Sequence, residues 1–204
     1  RVNLAVDEWG IWTDVEPGTN PGFLYQQNSM RDAIIAALNI NLFARHADRV
    51  RMTNIAQMVN VLQAMILTRD DQMILTPTYH VFDMYKPFQD ATFLPLDLTS
   101  PWYNKDQWTV PAVSAAAARS KAGQVYIALT NTDPNRSATV KARLEGVQAS
   151  VAEGRILTAP DIQSHNDFGS PDVVRPVAFN GATISPDGLA VTLPPHSVVM
   201  LLLR

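Results

Sequence analysis

The chain has 204 residues, enough for one large domain or two small ones, and 47% of them are hydrophobic, so a sizeable core can be buried. A net charge of −3, 17% charged residues and no Lys/Arg cluster interleaved with aromatics give no reason to expect nucleic acid or a membrane as partner. The absence of cysteine excludes disulfides, thiolate metal sites and cysteine nucleophiles, and leaves the compartment open.

Arg1 opens straight into a strand-like run, without the basic start and long apolar stretch of a secretory signal. The lack of an initiator Met hints that residue 1 is not the natural start, and no window reaches the about 18–20 apolar residues of a membrane span. Val2–Val6 is apolar and partly β-branched, which predicts a buried strand. Thr13–Phe23 carries Gly and Pro punctuation with acidic residues and reads as a loop. Ser29 followed by Asp32 resembles a capping box. Ala33, Ile34, Ala37, Leu38 and Leu42 keep helical spacing, so 29–46 predicts an amphipathic helix. Val50–Leu67 fits either a strand at 50–54 followed by helical turns or helix throughout. Pro77–Tyr85 reads as a short helix. Residues 87–111, with Pro87, Pro95, Pro101 and Pro111, predict a loop.

Beyond that loop the pattern turns to β. Ala112–Ser120 and Gln124–Asn131 flank Lys121-Ala-Gly123 as a hairpin. Ser137–Leu144 alternates, as do Leu189, Val191 and Leu193, and Val198–Leu203 is continuously apolar and must be buried. Short strands with Pro and Gly between them indicate a small β-sandwich. The chain therefore divides into 1–90, whose β/α units are too few to close a sheet alone, and 91–204, long enough for a sandwich domain.

The chemistry sits near the start. Leu4-Ala-Val-Asp-Glu-Trp-Gly-Ile-Trp12 ends a strand-like run in two adjacent carboxylates, Asp7 and Glu8, beside two tryptophans. A carboxylate at the C-terminal end of a strand, followed by a loop and a helix, is where a (β/α)8 barrel keeps its catalytic groups. Glycoside hydrolysis needs two carboxylates flanking the bond, one a protonated acid and the other a base or nucleophile. An adjacent indole supplies an apolar wall for a sugar face. From spacing alone, the ordinary reading of Asp7-Glu8 is a solvated strand edge.

The same segment resembles the nucleophile strand of the α-L-arabinofuranosidases of glycoside hydrolase family 51. The resemblance continues through His46-Ala-Asp-Arg-Val-Arg-Met-Thr-Asn-Ile-Ala-Gln-Met-Val-Asn-Val-Leu62 and Thr76-Pro-Thr-Tyr-His-Val-Phe-Asp-Met-Tyr85. It extends to Leu157-Thr-Ala-Pro-Asp161 with His165-Asn166, and to Leu193-Pro-Pro-His-Ser-Val198. It implies the last two β/α units of a (β/α)8 barrel followed by a C-terminal β-sandwich. Glu8 would be the catalytic nucleophile at the end of barrel strand seven. Gln57 matches a residue that hydrogen-bonds the bound arabinose near strand eight, and Trp12 would lie beside the site. Many relatives have Asn where this chain has Gly10. The family's general acid/base, a Glu preceded by Asn, has no counterpart in these residues and would lie upstream.

The implied reaction is retaining removal of terminal non-reducing α-L-arabinofuranosyl residues from arabinan, arabinoxylan or oligosaccharides. No metal and no organic cofactor is required. The missing N-terminal barrel part would be an obligatory partner, the isolated chain would be inactive, and the complete protein would be a homo-oligomer. The rival reading is a non-catalytic β-sandwich module that binds carbohydrate or merely packs; Glu8 with Gln57 favours the enzyme.

The remaining singled-out residues read as structural. His46 suits a helix C-terminus, where a cation meets the negative end of the dipole. Tyr79 and His80 are expected to pack rather than line the barrel mouth, and His165 and His196 to serve the β region. Trp102, Tyr103 and Trp108 could form a sugar platform, but the seam between barrel and sandwich is the expectation. The four histidines are too scattered for a metal-ligand pattern.

Overall fold

The structure, a computed structural model, describes residues 2–204. The first part runs β1 (Leu4–Trp9), α1 (Met30–Arg45), β2 (Val50–Ile55), β3 (Ile66–Arg69), β4 (Gln72–Leu75) and α2 (Pro77–Tyr85). The second part is all β: β5 (Thr92–Leu94), β6 (Trp102–Lys105), β7 (Trp108–Pro111), β8 (Val113–Arg119), β9 (Val125–Asn131) and β10 (Ala138–Ala142), then β11 (Ala152–Leu157), β12 (Val177–Phe179), β13 (Ala182–Ser185), β14 (Gly188–Leu193) and β15 (Ser197–Leu203).

A six-stranded antiparallel sheet, in the order β12-β11-β15-β9-β8-β5, faces a three-stranded sheet, β10-β14-β13. Side chains alternate across a strand, and β15 uses both sides. Val199, Leu201 and Leu203 enter the core between the two sheets, while Val198 and Met200 enter a second core beneath the helices. Strand β9 divides likewise, with Val125, Ile127 and Leu129 toward the facing sheet and Ala128 toward the helices. This two-sided burial explains the unbroken apolar run of Val198–Leu203, since a strand covered on both faces has no polar side.

Helix α1 starts where expected because Asp32 is fully buried and its Oδ2 accepts the Ser29 backbone N–H at 2.8 Å. Its apolar stripe, Met30, Ala33, Ile34 and Ala37, meets Val81, Met84 and Tyr85 of α2 in the second core. Small residues on α1 allow close approach, and the Tyr85 hydroxyl donates to Asn41 Oδ1 at 2.7 Å inside the contact. The helices thus rest on the back of the six-stranded sheet.

Several expectations change. The first strand lies two residues later than predicted, and Val2 and Leu4 are exposed rather than buried, because among the described residues β1 pairs only with β2. Val50–Leu67 is not helix throughout; the strand expected at 50–54 is β2, but no helical turns follow it. After β2 the chain turns irregularly, then enters the β3–β4 hairpin, whose Asp70 takes a left-handed φ of 54°. The 87–111 loop holds three short strands, and β6–β7 forms a hairpin of its own. Its Trp102 and Trp108 are 63% and 70% exposed, and Trp102 lines a cleft together with Leu38 and Leu42 of α1. His46 follows the last turn of α1, and its backbone N–H bonds the Phe43 and Ala44 carbonyls. His196 is buried between the Pro134 and Ala159 carbonyls, 2.9 and 2.7 Å from its ring nitrogens. No helix among the described residues is long and apolar enough to cross a membrane.

Candidate active site

Strands β1 and β2 are parallel, with Leu4 opposite Val50 and Trp9 opposite Ile55, and α1 makes the crossover between them. A parallel pair needs such a crossover, and both C-terminal ends then fall on one edge. Glu8 is the penultimate residue of β1, and Gln57 lies two residues beyond the end of β2. Both side chains are exposed. Where the strands end, the Ala56 N–H donates to the Trp9 carbonyl at 2.8 Å, and the Ala56–Gln57 peptide is cis.

Trp9 points toward the helices, stacked on Phe82 of α2 and edge-on to Phe43 of α1. Trp9 is partly buried by this packing, while Glu8 beside it is exposed, in a stretch where the β1–β2 register is irregular. Trp9 is therefore a support for the strand. The indole left to meet a ligand is Trp12, which is 67% exposed in the following loop.

That loop is held by buried amides. Gln63 Oε1 accepts the Ile11 N–H at 2.9 Å, Gln26 Oε1 accepts the Thr13 N–H at 2.9 Å, and Gln26 Nε2 donates to the Ile11 carbonyl at 3.1 Å. Asn28 Nδ2 donates to the Gln26 and Leu62 carbonyls, joining the segment before α1 to the turn after β2. Gly10 lies against this turn: a Cβ there would stand 3.1 Å from the Ala56 carbonyl oxygen and 3.5 Å from Gln63 Oε1. Sequence reading missed Gln26, Asn28 and Gln63, because polar residues in a loop-like stretch ordinarily read as surface. Gln26-Gln-Asn28, set between a Gly/Pro loop and a capping box, was the available signal.

Farther out, burial and the Glu16 carboxylate push the Tyr25 phenol above its usual range. Tyr25 packs with Phe168 against Ala64, Leu67 and Ile74, and the Arg69 guanidinium lies 4.3 Å over the Phe168 ring. Asn166, from the His165-Asn166 pair, is buried; it donates to the Leu75 and Val174 carbonyls and accepts the Val174 N–H. His165 sits beside it with Nδ1 on the Gln163 carbonyl. Tyr79 and His80 pack edge-to-face at the start of α2. Among the described residues no group of three or more His, Asp or Glu side chains could hold a metal ion. The arrangement therefore brings Glu8, Trp12 and Gln57 to one edge of a parallel strand pair.

Comparison with known proteins finds relatives over nearly the whole chain. Residues 7–197 match the α-L-arabinofuranosidase C-terminal domain family. An intracellular exo-α-L-arabinofuranosidase of Bacteroides ovatus is 47% identical over 205 residues, spanning 100% of this chain and 40% of that protein. An exo-α-(1→6)-L-arabinofuranosidase of Bifidobacterium longum is 27% identical over 96% of this chain and 41% of its own length. Among solved structures, the GH51 arabinofuranosidase of Xanthomonas axonopodis pv. citri is 58% identical and superposes with a TM-score of 0.97 over 100% of this chain and 41% of that one. The α-L-arabinofuranosidase of Thermotoga maritima, solved as an arabinose complex, is 27% identical with a TM-score of 0.82, covering 98% of this chain and 43% of that one. The chain thus spans about 40% of the length of the curated relatives it matches. With the match running from the Glu8 strand to the last strand of the sandwich, the chain belongs to the α-L-arabinofuranosidase C-terminal domain family.

Proposed function

We propose that this chain supplies the nucleophile side of a retaining exo-α-L-arabinofuranosidase. The observation that carries the reading is Glu8 at the C-terminal end of a parallel β-α-β unit, with Gln57 at the end of the neighbouring strand. Its support is family membership together with the activities for which the relatives are named. Glu8 attacks the anomeric carbon of a terminal α-L-arabinofuranosyl unit and forms a covalent glycosyl-enzyme; an acid/base carboxyl outside these residues protonates the leaving oxygen and then activates water. Gln57 hydrogen-bonds the sugar, and Trp12 covers one side of it. Substrates are terminal arabinofuranosyl groups on arabinan, arabinoxylan or their oligosaccharides.

In this reading residues 1–90 are the last two β/α units of a (β/α)8 barrel, and 91–204 are the C-terminal sandwich. A barrel needs eight strands, so the others come from the part of the relatives' length that this chain does not span. The core shared by α1, α2 and the six-stranded sheet makes the barrel part lean on the sandwich. The complete protein is a homo-oligomer, which its mass in solution checks.

The test is hydrolysis of a chromogenic α-L-arabinofuranoside by the complete protein, by its Glu8→Gln variant and by this chain alone. Turnover by the complete protein only is expected. Undiminished turnover by Glu8→Gln would remove Glu8 from the mechanism.

Exposure of Trp102 and Trp108 favours a second, compatible reading, in which the β6–β7 hairpin offers indoles to a polysaccharide chain. Retardation in arabinan or arabinoxylan gels that survives Glu8→Gln but is lost with Trp102→Ser or Trp108→Ser would support it. Retardation unaffected by either tryptophan change would end it.

A further inference from the structure

We propose that Gln63, together with Gln26, is a positioning residue of the reaction: the two amides fix the loop that follows Glu8 and carries Trp12. The proposal rests on the reading of Glu8 as nucleophile. Beyond β1 the backbone has left its strand ladder, and its polar groups need other partners. Three groups are supplied by side chains: Gln63 takes the Ile11 N–H, and Gln26 takes both the Ile11 carbonyl and the Thr13 N–H. Each amide presents a donor and an acceptor in fixed relation, so together they define the orientation of the Ile11 and Thr13 peptide groups.

Gln63 also has a firm anchor. It is completely buried, and its Nε2 donates to the Asp32 carbonyl at 2.8 Å, in the first turn of α1. The same nitrogen lies 3.2 Å from Thr78 Oγ1, in the first turn of α2. One side chain thus ties the loop behind the proposed nucleophile to both helices. Burying a primary amide is costly unless its hydrogen bonds are made, and a leucine or methionine would fill this volume without that cost. Gly10 packs on the same turn: a Cβ there would press on the Ala56 carbonyl oxygen at 3.1 Å and would lie in ordinary contact with Gln63 Oε1 at 3.5 Å. Supports of this kind hold catalytic groups within the small tolerance that reaction geometry allows.

The experiment uses the complete protein and a chromogenic α-L-arabinofuranoside, with Gln63→Met, Gln26→Met, Glu8→Gln and Tyr85→Phe variants. Tyr85→Phe loses a buried hydrogen bond to Asn41 between the helices, a bond in which neither glutamine nor their loop takes part, and serves as the stability control. Gln63→Met and Gln26→Met should each lower kcat about 10- to 100-fold, the scale of a small misplacement. KM should stay within about threefold. Tyr85→Phe should lower the melting temperature at unchanged kcat. If Gln63→Met does not accumulate, Gln26→Met carries the test on the same loop. Parent-like kcat in the folded glutamine variants, with Glu8→Gln inactive, would overturn the positioning role alone. Full turnover by Glu8→Gln would overturn the nucleophile reading and this inference with it.

Discussion

The indole of Trp9 stacks on the ring of Phe82, centroids 6.1 Å apart and planes 18° from parallel. Phe43 closes the other side edge-on at 5.4 Å. The residue next to the proposed nucleophile is thereby locked to both helices, and through them to the back of the six-stranded sheet. Local packing, and not the strand ladder alone, holds the end of β1 against the helices.

Phe82→Ala should therefore cost about 2–3 kcal/mol, below the about 3–5 kcal/mol of a fully buried phenylalanine because Phe82 is only half-buried. In a melting experiment on the complete protein, which is much longer than this chain, the drop should be about 2–5 °C. Phe23→Ser, at an exposed position, should change stability by no more than about 0.5 kcal/mol. Equal effects of the two changes would contradict the packing argument.

Asn166 is the polar pin between the 158–176 segment and the end of β4. Asn166→Ala leaves the Leu75 and Val174 carbonyls and the Val174 N–H without their partner. Unsatisfied buried groups of this kind should cost about 2–4 kcal/mol. Urea unfolding of the complete protein measures it, and a loss below about 1 kcal/mol would show that other groups take over these bonds.

His80 gives a pH dependence with a definite sign. Burial is the largest influence and lowers its pKa below 6.5; Asp83 and Asp172 oppose that, and Arg155 adds to it. The folded state thus holds the ring neutral while the unfolded chain takes up the proton first. Stability from the neutral ring is complete above pH 6.5 and declines as pH falls below that value toward the lower folded pKa. Melting temperature should fall more between about pH 7.5 and 5.5 for the parent than for His80→Phe. Identical falls would remove His80 as a contributor.

Asp83 has its pKa lowered chiefly by the hydrogen bond from Lys86, with Arg155 contributing a second. It loses its contribution in the same direction but at lower pH, as the unfolded carboxylate near 3.8 protonates before the folded one.

Much of this architecture was legible in the chain. The Ser29/Asp32 pair marked the start of α1, the period of Ala33, Ile34 and Ala37 marked its buried stripe, and Val198–Leu203 announced a strand covered on both faces. The β3–β4 hairpin was not legible, because Val61–Leu67, apolar apart from Gln63, runs into it and hides the strand start. Strands β11, β12 and β13 were missed for a related reason: Glu153, Gly154 and Arg155 interrupt β11, and the other two are only a few residues long. The prolines of 87–111 suggested loop, yet Pro101 precedes β6 and Pro111 ends β7, places where a missing N–H is tolerated. In the candidate site, Glu8, Gln57 and Trp12 were found through resemblance. The amides Gln26, Asn28 and Gln63 were not, since only tertiary structure shows that they are inside.

The most direct test of the central claim is covalent trapping. The complete protein would be treated with an activated 2-fluoro arabinofuranoside, whose electron-withdrawing substituent slows hydrolysis of a glycosyl-enzyme, then digested and mapped by mass spectrometry. One 2-fluoro-arabinofuranosyl adduct is expected, carried on Glu8 in the peptide containing Asp7-Glu-Trp9. An adduct on any other carboxylate, or continued turnover with no adduct at all, would contradict it.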